Sequence, residues 1–223
     1  TFSTKIMDEA ITQLIILKDM AGPFEPTKYR GIATEAFRCS KNAQVLIERI
    51  RAEVGIDIEI ATHQEEAMYG FYNAMSLSEL ESHTIISWDS GAGSFQITAH
   101  DEMFLGRFGR TPVQHYIVEV LQGRDFSQTA SPNPISNKEA LATIDYIKSQ
   151  LKDCPKTLLA KLNREDLVIV SIGAHPKLIP IGATYTREFI KECLFDNLDK
   201  SDEELDMEEA QFIVSDLILA YSV

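Results

Sequence analysis

Near residue 78 the spacing of apolar residues changes character, and that change limits what the chain can build. Before it, helical and strand periodicities alternate. After it, short apolar runs follow one another around a turn of small residues. The first part reads as helix–strand–helix–strand–helix. The second reads as two or three antiparallel strands, then helix, strand and helices. The chain is therefore expected to be α/β and to fall into two lobes, residues 1–78 and 79–223. It shows no internal repeat and no low-complexity tract.

In the first part, Phe2, Ile6, Ala10, Leu14 and Leu17 recur every three to four residues and predict an opening helix. AGPFEP breaks it with Gly22, Pro23 and Pro26. A short strand is expected at about Tyr29 to Phe37. An amphipathic helix follows from about Asn42 to Val54, with Val45, Leu46 and Ile50 on one face, and Gly55 ends it. IDIEIA (56–61) alternates as a strand does, and Thr62 with Glu65 predicts a capping box opening the helix QEEAMYGFYNAM.

In the second part, HTIISWD reads as a buried strand, GAG as a tight turn and SFQITAHD as the returning strand, with MFLGRFGR as a third. TPVQHYIVEVLQ looks helical. Ser136 and Glu139 cap a helix with Ala140, Leu141, Ile144, Ile147 and Leu151 on its core face. LVIVSIGA (167–174) suits a buried strand, parallel and central. The acidic run SDEELDMEEA is expected to begin the final helix.

The 223 residues carry a formal charge of −13, which argues against non-specific nucleic-acid binding, since that needs a basic footprint. The same charge is awkward for an enzyme acting on a polyanion, which needs a local basic lining. Arg107, Arg110, Arg124 and Lys177 are the candidates for one. No apolar run approaches the roughly 18 residues of a membrane span. The N-terminus lacks the pattern of a signal peptide, and lacking an initiator Met it suggests a natural chain that starts further upstream. Cys39, Cys154 and Cys193, an odd number without metal-like spacing, read as reduced thiols of a cytoplasmic protein. The five histidines show no ligand spacing, and no serine sits in a nucleophile elbow.

Three segments carry candidate chemistry. ATEAFRCSKN (33–42) places Arg38 after a strand, where open α/β sheets bind ligands, and its planar fork suits phosphate oxygens. Alone, Arg38 reads first as a surface residue capping the adjacent loop. IEIATHQEEAMYG (58–70) puts Glu65 and Glu66 at a helix start, where the macrodipole favours acids. Glu65 fits the capping box, whereas Glu66 has no such duty and is available to orient or deprotonate a water. IISWDSGAGSFQI (85–97) sets Asp89 before Gly91, Ala92, Gly93 and Ser94. Backbone N–H groups of such a turn can approach phosphate closely, Ser94 adds a hydroxyl, and Asp89 can hold a divalent ion. A structural hairpin with Asp as turn former gives the same pattern.

In this order the segments resemble the motifs ATSA-x-R-x-A-x-N, ISG-x-EEA and DIGGGSTEL of the exopolyphosphatase / guanosine-pentaphosphate phosphohydrolase (Ppx/GppA) family. The resemblance implies a two-lobed actin-like ATPase fold built on ribonuclease-H-like sheets, the first lobe lacking its N-terminal strands. It implies Arg38 as phosphate ligand, Glu66 as the residue activating water, Asp89 as the Mg²⁺-linked carboxylate, and Gly91, Ala92, Gly93 and Ser94 as a phosphate-binding loop. The expected function is Mg²⁺-dependent hydrolysis of terminal phosphoanhydride bonds in polyphosphate or guanosine pentaphosphate, in a homodimer, without DNA or membrane partners. Departures are the absent DLGSNS-type first loop, the absent downstream helical domain, Phe95 and Gln96 in place of the motif's TE, and His175 and Pro176 in place of the SG of a later loop. The departures leave open a non-catalytic phosphate- or nucleotide-binding module.

Overall fold

A two-stranded and a four-stranded sheet organise the chain, in a computed structural model that describes residues 1–129, 131–173, 182–184 and 186–223. The chain divides into two compact units, Thr1–Glu66 and Ala67–Val223.

The first unit runs α1 (Thr4–Ala21), β1 (Arg30–Ala33), α2 (Glu35–Arg38), α3 (Ala43–Val54), β2 (Asp57–Ile60) and the first turn of α4 (His63–Ser78). β1 and β2 pair in parallel from Arg30↔Asp57 to Ala33↔Ile60. Ser3 caps α1 by accepting from the Ile6 N–H. Met7 and Ile11 of α1 pack on Leu46, Ile50 and Val54 of α3, and Ile56, Phe2, Leu14, Tyr29, Phe37 and Ile58 complete the core. Each such side chain removed from water contributes about 1.5–3 kcal/mol.

The buried stripe of α1 is thus rotated from the expected one. The helix carries two apolar stripes, and Met7–Ile11–Leu14 meets α3 while Ile6 and Leu17 are exposed. Likewise Val45 of α3 points outward, because Ala43, Leu46, Ile47, Ile50 and Val54 form the better helical stripe. The strand expected to reach Phe37 stops at Ala33. There the Phe37 and Arg38 N–H groups turn back to the Thr34 carbonyl at 3.0 and 3.1 Å and form the single turn of α2.

The second unit continues α4 into β3 (Ile85–Ser90), β4 (Phe95–Thr98), β5 (Met103–Gly106) and α5 (Arg110–His115), which passes into a π-helical turn over Tyr116–Leu121. Then come α6 (Asn137–Gln150), α7 (Lys156–Lys161), β6 (Val168–Gly173), α8 (Arg187–Asp196), α9 (Asp202–Leu205) and α10 (Ala210–Ser222). The strand order is β5-β4-β3-β6, antiparallel except for β3 with β6. Alternation gives this sheet two unlike faces. Ile86, Trp88, Phe95 and Ile97 enter a large core with α5, α6 and α10. Ser87, Asp89, Gln96 and Thr98 belong to the opposite face, where Ile85 meets Phe71 and Ala74 of α4.

Three further expectations are corrected. β6 is parallel, as its apolar run suggested, but among the described residues it pairs with β3 alone and so lies at the edge of the sheet. Val168 and Ile169 are half-exposed there. The acidic run does not begin the final helix. Ser201 and Glu204 form a capping box for the one-turn α9, Asp206 stops it in the left-handed region at φ 45°, and α10 starts afresh at Ala210. Leu141 of α6 is also exposed, its expected core position being taken by Thr143. No helix of the described residues is long and apolar enough to cross a membrane.

Candidate active site

Because Thr62 and Glu65 satisfy one another, Glu66 is released from capping. The Thr62 N–H donates to Glu65 Oε2 at 2.8 Å and the Glu65 N–H to Thr62 Oγ1 at 3.1 Å. The Thr62 N–H, and after it the Thr62 hydroxyl that donates to the same Oε2 at 2.9 Å, hold the Glu65 carboxyl below its usual range. Glu66 instead meets Arg38, whose Nη2 donates to Glu66 Oε2 at 2.6 Å. Arg38 Nε and Nη2 also reach Glu35 Oε2 at 3.1 and 2.8 Å, and Nη1 reaches the Ala61 carbonyl at 2.9 Å. The Cys39 thiol donates to Glu35 Oε1 at 2.9 Å.

Arg38 and Glu66 are each mostly shielded, with side chains 17% exposed. Burial works against the charge on Arg38, but the bonds to Glu66 and Glu35 outweigh it and raise its guanidinium above the usual range. The Cys39 thiol and then Arg38 keep the Glu35 carboxyl low against its partial burial. Glu66 is left with one oxygen fixed by Arg38 and the other, Oε1, without a hydrogen-bond partner among the described residues.

In the second unit the turn from β3 to β4 is braced from one side. The Arg110 N–H donates to the Gly91 carbonyl at 3.2 Å and the Thr111 N–H to the Ala92 carbonyl at 2.8 Å. In a trans peptide the C=O and the following N–H point in opposite directions. Capturing these two carbonyls at the start of α5 therefore turns the N–H groups of Ala92 and Gly93 away from α5, and no described residue takes them up. Gly109 permits the approach, since a Cβ there would lie 2.9 Å from the Ala92 oxygen. Gly91 N–H closes the turn on the Ser94 carbonyl at 2.9 Å. Ser94 is buried, and its Oγ accepts from Gln96 Nε2 at 3.4 Å.

Asp89 ends up between two glycines. A Cβ on Gly70 of α4 would lie 2.9 Å from Asp89 Oδ2, and one on Gly173 at the end of β6 would lie 2.6 Å from Oδ1. Gly173 also has φ +84°, a conformation that favours glycine on its own account. Gln96 is the direct cross-strand partner of Asp89. Among the described residues no group of three or more His, Cys, Asp or Glu could hold a metal. Mg²⁺, however, keeps several waters and binds through one or two carboxylates plus substrate phosphates. One carboxylate beside outward backbone N–H groups fits an ion that arrives with a phosphorylated ligand.

The family model for the Ppx/GppA phosphatases matches residues 1–171, a stretch holding all three of these segments. The chain belongs to the Ppx/GppA phosphatase family. No curated protein matches it. Among solved structures, an exopolyphosphatase from Cytophaga hutchinsonii superposes with a TM-score of 0.73 at 18% identity, covering 99% of this chain and 75% of its own. A Ppx/GppA family member from Aquifex aeolicus gives 0.68 at 20% identity, covering 99% and 74%. An exopolyphosphatase-like protein gives 0.75 at 14% identity, covering 99% and 72%. These likenesses are of fold, and they bear out the α/β, actin-like class expected for a Ppx/GppA chain.

Against the Ppx/GppA pattern, the Phe95 departure has a packing cause. Its ring is fully buried, meets Phe108 edge-on at 4.6 Å between centroids, and fills the space left by Gly106 across the ladder. The basic residues fare unevenly. Arg110 is committed to Asp216 through bonds of 2.8 and 2.6 Å, and Arg124 to the Gln122 side chain and Ser131 carbonyl, while Arg107 is exposed. Lys177, His175 and Pro176 lie outside the described residues. Sequence reasoning missed Glu35, Gly70 and Gly173. The i, i+3 spacing of Glu35 and Arg38 was a usable signal once the segment is taken as helical.

Proposed function

We propose that the chain hydrolyses terminal phosphoanhydride bonds of inorganic polyphosphate or guanosine pentaphosphate with Mg²⁺ as cofactor. The carrying observation is Glu66, with Oε2 fixed by Arg38 and Oε1 open. A carboxylate fixed at one oxygen can orient a water with the other and accept its proton as it attacks phosphorus. Arg38 supplies fixed positive charge for phosphate oxygens, and the Ala92 and Gly93 N–H groups supply preoriented donors for developing negative charge. Asp89 would hold Mg²⁺, which when bound neutralises charge on the phosphate oxygens.

The test is phosphate release from polyphosphate and from guanosine pentaphosphate, offered separately with and without Mg²⁺. Release that needs Mg²⁺ and stops with Glu66→Gln supports the reading. Release untouched by Glu66→Gln would sink it.

A second reading is a non-catalytic module that binds the same ligands, and Gln96 favours it. A neutral amide stands directly opposite Asp89, where the family motif has a carboxylate. Tight ligand binding by the unaltered chain with no phosphate release would identify that case.

A further inference from the structure

A guanidinium carries five N–H donors in a rigid fork, and it grips a phosphate bidentately through two N–H groups on one edge. In this chain neither edge of Arg38 is open. The Nε/Nη2 edge is occupied by Glu35 Oε2, at 3.1 and 2.8 Å. The Nη1/Nη2 edge is engaged by the Ala61 carbonyl at 2.9 Å and by Glu66 at 2.6 Å. One N–H, on Nη1, has no partner among the described residues.

These occupants differ in how readily they leave. Ala61 O is backbone, fixed where the Ala61 N–H bonds the Ala33 carbonyl at 3.0 Å. Glu66 is rooted in the first turn of α4 and its side chain is 17% exposed. Glu35 is more open at 28% and belongs to the four-residue α2, its other oxygen accepting, among the described residues, from the Cys39 thiol. It is the occupant a phosphoryl group can displace.

We propose that Glu35 is an intramolecular competitor for phosphate at Arg38. Its carboxylate stands on the Nε/Nη2 edge, and a substrate phosphoryl group gains a two-point grip there only by displacing it, so Glu35 sets the affinity of the site. The proposal rests on the reading of Arg38 as phosphate ligand. Glu35 stands where the motif quoted above has Ser, which supplies a natural second variant.

The test is isothermal titration of tripolyphosphate into the unaltered chain, Glu35→Gln, Glu35→Ser, Arg38→Lys and the Glu35→Gln/Arg38→Lys double variant, with thermal melts confirming that each is folded. Both Glu35 variants are expected to bind about tenfold tighter, the value of one charged hydrogen bond no longer contested. Arg38→Lys keeps the charge but lacks the fork, so binding should weaken and the gain from Glu35→Gln should vanish in that background. If Arg38→Lys weakens binding while the Glu35 variants bind equally or less tightly, Glu35 supports Arg38 rather than competing. The proposal then falls and the reading of Arg38 stands. If Arg38→Lys leaves affinity unchanged, or no variant binds, the reading of Arg38 falls and takes the proposal with it.

Discussion

Arg38 Nη2 lies 2.6 Å from Glu66 Oε2, and the bond ties the end of α2 to the first turn of α4. It makes the placement of Glu66 as important as its charge. Glu66→Asp keeps the carboxylate but shortens the side chain by one methylene, moving it out of reach of Arg38 or of the water. Phosphate release is expected to fall about 100-fold, the cost of misplacing a reacting group by roughly 1 Å. Steady-state rates with saturating substrate measure it, and a rate within twofold of the unaltered chain would show that placement is not decisive.

Gly70 leaves Asp89 its room. With a Cβ there 2.9 Å from Asp89 Oδ2 and 3.2 Å from Ile172 Cδ1, Gly70→Ala must push the carboxylate or the strand aside. The expected stability loss is about 1–3 kcal/mol, with a higher Mg²⁺ concentration needed for half-maximal phosphate release. Gly22→Ala, where nothing lies within 4 Å, should stay within about 0.5 kcal/mol in the same thermal melts.

Arg110 is a structural residue by its contacts. Its fork grips the Asp216 carboxylate, whose side chain is 4% exposed, and its guanidinium lies 4.3 Å from the centre of the Phe212 ring. Arg110→Met removes both of these bonds from a buried carboxylate and is expected to cost roughly 3 kcal/mol in chemical denaturation. A loss below about 1 kcal/mol would mark the pair as behaving like a surface one.

Lys161 bonds both Asp101 and Glu102 at 2.6 Å. The Lys161 contacts lead in holding both carboxyls below their usual range, and the same two bonds raise Lys161 above its own. The carboxylate contribution is present above their unfolded values and lost as pH falls through the folded ones. The lysine contribution is lost as pH rises through its folded value. Urea titrations should therefore show the stability gap between the unaltered chain and Lys161→Met widest between about pH 5 and pH 10, fading toward both extremes. The groups are close to solvent, so salt at about 1 M should shrink the gap. A gap independent of pH would point to lost packing instead.

Features set by neighbours in sequence were legible beforehand. The Thr62–Glu65 box depends on four consecutive residues, and the turn between β3 and β4 on small residues between two short apolar runs. Those set by distant partners were not. Gly70 and Gly173 look like ordinary glycines until the fold brings Asp89 between them. Val168 and Ile169 read as buried because a continuous apolar run looks the same at an edge as in the middle of a sheet. The acidic run misled because Asp and Glu favour any helix start, and the left-handed Asp206 and Glu209 reveal two helices instead of one. Arg38 and Glu66 were visible singly, but their bond required β1 and β2 to lie side by side.

The anchoring of the Gly91 and Ala92 carbonyls turns the start of α5 into a reporter. The amide hydrogens of Arg110 and Thr111 are sealed against those oxygens, and they exchange with solvent only when the turn swings open. An anion held on the far side of the same two peptides would favour the closed state. It would slow deuterium uptake at two hydrogens it never touches.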